Sequence, residues 1–535
     1  METKRMVLAV ALSMGVLLVF QYLAPKKTTP VAGKAMVSGA ESAPMAPAAA
    51  PAVSPAGPAA GGETLVPAGT VGIPVTTAAL ENDKVSLELS SRGGAIVGAR
   101  LKEYRDRAGK GGNPAVVLGA ASGRDVAGET RLAAFGLAPD AAFREVERAP
   151  SRVVYAWDSP AGARVEKVYS LEPGHYDVAL SVRVRNGTPA AVKDQLGLGL
   201  ALDYSAEEDK YIFTGPTYLR GEDLVQVKVK DLKKGPKEDS GAISWAALLE
   251  KYFLVAAIPR EAGSTVRVDR REGRDKVLEV VLAGKAFDLA PGTETTVAYR
   301  LYVGPKLGEA LTPLGANLTR VIDYGWFTVI ARPLLAFLKA IYRVTGNYGL
   351  AIIVLTTLVK AAFWPLSAKS FRSMQKMKDL QPKMAKLKER YGNDRERLNT
   401  EVMQLYKTHK VNPLGGCLPM LLQIPVFFAL YRVLLSSIEL RHAPFLLWIT
   451  DLSVKDPYYV TPLVMGVTMF IQQKLTPATG TDPVQAKMMQ YGMPAIFTFM
   501  FLNFPAGLVV YWLVNNILSI AQQGMMMRQS KAAAG

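Results

Sequence analysis

The spacing of apolar and polar positions along this chain changes character twice. Residues 6–23 are apolar almost throughout, directly behind Lys4 and Arg5. From residue 80 the period is two. Tyr176, Val178, Leu180, Val182 and Val184 occupy alternate positions, as do Val225, Val227 and Val229, and later Val297, Tyr299, Leu301 and Val303. That is the period of a half-buried strand, and Asp158-Ser159-Pro160-Ala161-Gly162 parts two such runs as a hairpin turn does. Many short strands punctuated by Gly and Pro predict a large antiparallel β-sandwich over 80–318 with a few helical insertions.

From residue 322 onward the period is helical. Over 322–345, Arg332, Lys339 and Arg343 share one face while Ile330, Leu334, Phe337, Leu338 and Ile341 fall on another. This predicts an amphipathic helix, either lying in a membrane headgroup plane or packed on the β-sandwich. Apolar runs follow at 347–366, 414–435, 458–474, 488–504 and 507–527. About 20 residues rising ~1.5 Å each cross a hydrocarbon core ~30 Å thick. Five spans are therefore predicted here, and six with the N-terminal run. Residues 1–25 read as a retained anchor rather than a cleaved signal peptide, because 21–27 lack a small-x-small site. The Ala-, Pro- and Gly-rich stretch 26–79 has few large side chains to build a core and reads as a linker.

Charge orients the spans. Residues 367–412 hold twelve Lys or Arg and five acids, whereas 436–457 hold only Arg441 and Lys455 against three acids. Lys474 and Lys487 flank the loop 475–487, and Arg528 and Lys531 lie in the tail 528–535. The excess of positive charge on cytoplasmic loops places both termini inside and the β-sandwich in the periplasm, in an inner membrane. The net charge of +17 is thereby assigned to basic loops rather than to nucleic-acid binding.

Conventional chemistry finds no support. One cysteine, Cys417, excludes an intramolecular disulfide, and three isolated histidines make no metal cluster. No H-E-x-x-H, G-x-S-x-G, P-loop or Rossmann pattern is present. An intramembrane protease would need a base within its spans, and His409 and His442 lie in loops. The chain is expected to be no enzyme, to have no catalytic residues and to need no cofactor or metal.

Two features remain to carry function. In the basic segment, Met374, Met377, Gln381, Met384 and Leu387 recur at steps of three and four, Gly392-Asn393 marks a turn, and Leu398, Val402 and Leu405 resume the period. These predict a cytoplasmic two-helix hairpin over 367–412. It is either a solvated loop that obeys the charge rule or an adaptable, methionine-bearing surface for apolar clients. The other feature is Lys360. A lysine inside a span is costly and faces protein, water or, by snorkelling, the headgroups. Thr356 lies one turn earlier. Gln423, Thr468, Gln472, Trp512, Asn515, Asn516, Ser519 and Gln522 add polar groups to other spans, and no acid lies within these five. They are either interhelical hydrogen-bond glue or the lining of a wet cavity around Lys360.

Leu380-Gln381-Pro382-Lys383, Leu405-Tyr406-Lys407 and Val411-Asn412-Pro413-Leu414-Gly415-Gly416-Cys417-Leu418-Pro419 resemble the YidC/Oxa/Alb family of membrane insertases. Leu440 to Phe445, Asp456-Pro457-Tyr458-Tyr459, Met465 to Met469 and Phe504-Pro505-Ala506-Gly507-Leu508 extend the resemblance over 324–527. The anchor, linker and β-domain resemble the Gram-negative form, whose β-domain is a supersandwich. The resemblance implies a membrane protein insertase and chaperone with a five-helix core around a positively charged groove, open to cytoplasm and lipid. Lys360 falls where the family usually has arginine, with Thr356 and Trp512 at other groove positions. Lysine keeps the charge and loses the bidentate fork. The resemblance also implies a client slide along the third and fifth spans, on Leu421, Ile424, Phe427, Phe428, Phe497 and Phe501. It implies recruitment by the hairpin through Met374, Met377, Lys383, Met384 and Leu387. The implied partners are nascent membrane proteins, the Sec translocon with its accessory subunits, the translating ribosome, the signal recognition particle pathway and membrane lipids. Two rival classes are weaker. A transporter predicts internally repeated spans, which are not found, and a carbohydrate-binding envelope protein would place all activity in the β-domain.

Overall fold

In the computed structural model the described residues are 74–535, apart from 110, 120–124, 205–211, 272–273, 410, 412–417, 477–486 and 533–535. The expected anchor, most of the linker, most of the loop 475–487 and the Asn412–Cys417 part of the family motif lie outside them.

Among the described residues seventeen antiparallel strands, numbered β1 to β17 in chain order, form a single hydrogen-bonded ladder that folds over on itself. Its centre runs through β5 (Val126–Arg131), β10 (Val192–Asp203) and β16 (Arg274–Leu289), and its other limb through β14 (Phe253–Pro259), β17 (Glu294–Pro305), β9 (Asp177–Arg185) and β8 (Arg164–Leu171). In β9, Val178, Leu180, Val182 and Val184 are buried and the residues between are not, so one face is interior. The hairpin β7 (Arg152–Asp158) to β8 closes across 158–164, with Asp158 opposite Arg164.

Two side chains of β8 tie the facing layers. The Tyr169 hydroxyl donates to the Gly94 carbonyl at 2.7 Å. The Lys167 ammonium donates to the carbonyls of Gly93 and Gly128 at 2.9 and 2.6 Å. One expectation fails. The strand expected through Val225, Val227 and Val229 stops at Gln226, the end of β12 (Asp223–Gln226), and a 3₁₀ turn takes over at Val229–Lys234. Val227 still donates its amide to Pro216 in the register of the pair formed by β11 (Gly215–Arg220) and β12, the last bond of that ladder, and Gly235-Pro236 follows the turn.

After a single helical turn at Gly308–Leu311, the long helices begin with α1 (Thr328–Thr345), later than the expected start at 322; Tyr324 is buried just before a 3₁₀ turn. Next come α2 (Tyr348–Ala362), α3 (Trp364–Asp379), α4 (Gln381–Tyr391), α5 (Arg395–Thr408), α6 (Leu418–Ser436), α7 (Val460–Leu475), α8 (Met493–Phe501, after a π-turn at 488–492) and α9 (Ala506–Ala532). Asn347 caps α2 by accepting from the Leu350 amide at 3.0 Å, and it donates to the Phe445 carbonyl. Gly349 is required there because a Cβ would collide with the Phe445 ring. Pro365 cannot donate to Ala361, so the helix breaks at Phe363 and α3 leaves α2 at 61°. Among the described residues no single helix is long and apolar enough to cross a membrane, and the bent pair α2–α3 is the one combination that meets that test.

The basic segment also differs from a two-helix hairpin. Met374 and Met377 sit on α3, while Met384 and Leu387 sit on α4 beyond the break at Leu380-Gln381-Pro382. α4 and α5 form the hairpin proper, with Asp394 accepting from the Arg397 amide to cap α5.

Candidate functional site

α2, α6 and α9 converge around Lys360. Thr356, Val359, Lys360, Phe363, Gln423 and Asn515 help line a cavity of about 10 Å³ there. That is room for about one water. The Gln423 amide donates to the Asn515 side-chain carbonyl at 2.8 Å, spanning α6 and α9. Thr356 is buried and turns its hydroxyl back to the Ile352 carbonyl. Lys360 is half-buried, and among the described residues no carboxylate is ion-paired with it. Four of the groove residues singled out in the sequence are thus gathered in one place, but in a narrow space rather than an open recess.

The other polar residues go elsewhere. Asn516, next to Asn515 but rotated by one helical step, faces α7 and donates to the Thr468 hydroxyl at 3.3 Å and the Met465 carbonyl at 3.4 Å. Ser519 bonds back to the Asn515 carbonyl, and Gln523 reaches Thr476. Gln472 is half-buried on α7. This α7–α9 seam is hydrogen-bond glue. On its other side α7 packs closely on α8, where a Cβ on Gly466 would collide with Thr498.

Trp512 belongs to a third group. Its ring lies 4.8 Å from Phe427, 5.4 Å from Phe501 and 6.0 Å from Phe497, making an aromatic plug between α6, α8 and α9. Three of the expected slide residues are therefore turned inward, and Phe501 is 1% exposed. Ile424 and Phe428 are exposed, Phe428 stacking on Phe327. Leu421 lies on α6, with its side chain outside the described residues. The outward apolar face of α8 is instead Ile496, Phe499 and Met500, with Phe499 75% exposed. The sequence signal for it was the spacing of three and four within an unbroken apolar run, which does not say which side faces out.

In the hairpin, Met377 and Met384 are buried, packed with Leu380, Val411, Leu405 and Tyr406, and the Tyr406 hydroxyl meets the Met384 sulfur at 3.3 Å. Burial pushes the Tyr406 phenol up. Leu387 and Met374 are half-buried. The methionine seam is spent on internal packing, and the hairpin presents a basic face on which Lys383 approaches His409 at 3.1 Å.

Apolar exposure separates the two halves. Among the described residues before 307 the exposed large apolar side chains are Val75, Val116 and Val146, whereas the helical half exposes them on α1, α2, α6, α7, α8 and α9. Such a continuous outer surface is what lipid would cover. Among the described residues no cluster of His, Cys, Asp and Glu could hold a metal.

Comparison with known proteins agrees with this division. Residues 77–337 match the YidC periplasmic domain family, and 340–533 match the 60Kd inner membrane protein family. The chain is 43% identical to the membrane protein insertase YidC of Geotalea daltonii, over 97% of this chain and 98% of that one. It is 41% identical to that of Geobacter metallireducens over 99% of both. Among solved structures it is similar to an active YidC insertase with its first transmembrane domain resolved, at 16% identity and a TM-score of 0.35, covering 83% of this chain and 91% of that one. The chain belongs to the YidC family of membrane protein insertases, non-enzymatic inner-membrane proteins with a periplasmic domain.

Proposed function

We propose that the Lys360 site is the entry point at which the polar segment of a client protein leaves the cytoplasm during insertion. The observation that carries this reading is the convergence of Lys360, Thr356, Gln423 and Asn515 on one cavity among α2, α6 and α9. The neighbouring outer surfaces, Ile424 and Phe428 on α6 and Ile496 and Phe499 on α8, are apolar and exposed.

The physical task is to lower a desolvation barrier. Carrying peptide groups and charges across hydrocarbon costs several kcal/mol per group. A hydrated recess part-way across shortens the dry path, and the client's apolar helix then gains its own burial in lipid. Lys360 would attract an acidic or polar client segment, and α6 with α8 would receive the apolar one. No nucleotide or cofactor enters this scheme. The observed space admits about one water, so the recess opens by parting α6 from α9, whose polar link there is the Gln423–Asn515 bond.

The reading includes six crossings. They are the N-terminal anchor, α2 with the bend into α3, α6, α7, the π-turn with α8, and α9. Both termini and the α4–α5 hairpin are then cytoplasmic, and the loop 436–457 is periplasmic with the β-domain. The basic face of the hairpin is the recruiting surface for translating ribosomes and the signal recognition particle pathway, and the Sec translocon is the lateral partner.

Depletion rescue tests this directly, scored by insertion of a small single-span client with an acidic translocated tail. Lys360→Ala is expected to lose most insertion and Lys360→Arg to restore it. Wild-type insertion by Lys360→Ala would reduce Lys360 to a snorkelling residue and sink the charged-recess mechanism.

A further inference from the structure

A cavity of about 990 Å³ lies away from Lys360, where the β-domain meets the helices. It is at the upper end of the range of small-molecule pockets. Its walls include residues 212–214, the segment from the end of β12 into the 3₁₀ turn, Lys306 just after β17, residues 319 and 321–325, the inner side of α1, and the last turns of α6 with the loop behind them. Six cationic side chains line it: Lys228, Lys230, Lys306, Arg332, Lys339 and Arg432. The carboxylates of its lining are Asp323 and Glu439.

Like charges so gathered repel within a Debye length of about 8 Å, and the pairing on hand does not balance them. Lys339 takes Glu439 at 3.1 Å, and Glu309 from outside the lining at 3.0 Å. Lys228, Lys230 and Arg332 are exposed and have no ion-pair partner among the described residues. Burial pushes the Lys306 ammonium down to about 8 despite the attraction of Glu250, so an added anion would favour its charged form.

The position of α1 says what anion. Its cavity side carries Arg332 and Lys339, seven residues apart. Its outward side carries Val329, Phe337 and Val344, which are 84%, 61% and 88% exposed. A helix with that division lies at the lipid boundary with its apolar side among acyl chains. The cavity behind it is therefore level with the headgroups on the side of the membrane that holds the β-domain.

We propose that this cavity binds the phosphate headgroup of an anionic phospholipid of the periplasmic leaflet, clamping the β-domain to the insertase core. The site is independent of the client path at Lys360. Lys228, Lys230 and Arg332 reach the phosphate from the open side, and Lys306 and Arg432 line its inner wall.

The test uses the full chain, purified and delipidated in neutral detergent, with bound lipid read by native mass spectrometry after adding phosphatidylglycerol or phosphatidylcholine. The wild type is expected to retain phosphatidylglycerol preferentially. The variant Lys228→Gln/Lys230→Gln/Arg332→Gln changes only exposed side chains and should lower that retention by at least about tenfold. A charge-matched control, Lys193→Gln/Lys237→Gln/Lys285→Gln, should retain it as the wild type does. Lys306→Met gives a second reading from the inner wall, with circular dichroism confirming its fold. Equal retention of the two lipids, or unchanged retention by both cavity variants, would overturn the proposal. So would binding of inorganic phosphate as tight as that of the lipid, or preference for a Glu-rich peptide. No insertion is measured, so failure here leaves the Lys360 reading standing, and failure there leaves this one.

Discussion

The β-sandwich and the helical core both hold polar groups away from water, and they satisfy them with different partners. In the sandwich the partners are charged and strong. Glu129 accepts from Arg271 at 2.6 Å, Arg131 reaches Glu279 at 2.5 Å, and fully buried Lys167 donates to two carbonyls. In the core the seams are amide and hydroxyl contacts. They are Gln423 to Asn515 at 2.8 Å and Asn516 to Thr468 at 3.3 Å, with the inner cation, Lys360, beside them. Removing one partner of a buried charged network is costly, whereas interhelical hydrogen bonds in a membrane average only about 0.6 kcal/mol. On the proposed reading, one half stays closed while the other parts and reseals.

Lys167 should give the largest effect. Lys167→Met keeps most of the volume but strands the carbonyls of Gly93 and Gly128, at about 1–3 kcal/mol each. The full chain is expected to lose about 2–5 kcal/mol in chemical unfolding of the β-signal. Burial, opposed by Glu129, also lowers the Lys167 ammonium from 10.5 to about 7. The unfolded chain therefore holds more protons between those values, and stability rises with pH across that window. Wild type should gain on Lys167→Met between pH 7 and 9 (about those values). A gap between the two that is small and independent of pH would erase the contrast drawn for the sandwich.

Asn516→Leu should give the smallest. It removes two long contacts to α7, so melting of the helical core is expected to move by only about 0.6 kcal/mol. A loss several times larger would mean that the α7–α9 seam is as firm as the sandwich. An unchanged melt with faster proteolysis between α7 and α8 would sharpen the view that these seams limit opening.

Much of this was legible in the sequence, and the reasons differ by region. Val178 to Val184 announced an interior strand face because strand burial has period two and each residue reports its own side. Lys360 stood out because a charge within an apolar run is expensive. The sandwich's ion network was not legible, since Arg131 and Glu279 are brought together only by strand order. Asn515 and Asn516 looked equivalent as neighbours, yet a 100° helical step sends them to different seams. The resemblance implied groove and slide for Trp512 and Phe501, but packing turned the two rings toward each other, which no sequence pattern reports. The cationic cavity was invisible because its cations come from places as far apart in the chain as Lys228, Lys306, Arg332 and Arg432.

The claim that the Lys360 seam opens to water while its neighbour stays dry can be tested by cysteine accessibility. With Cys417 replaced by serine, Asn515→Cys and Asn516→Cys are each treated with a membrane-impermeant maleimide in inverted inner-membrane vesicles. Labelling of the residue at 515, faster when a client is arrested in transit, with protection at 516 is the expected result. Equal labelling at both positions, or protection of both with a client present, would contradict a hydrated recess at Lys360.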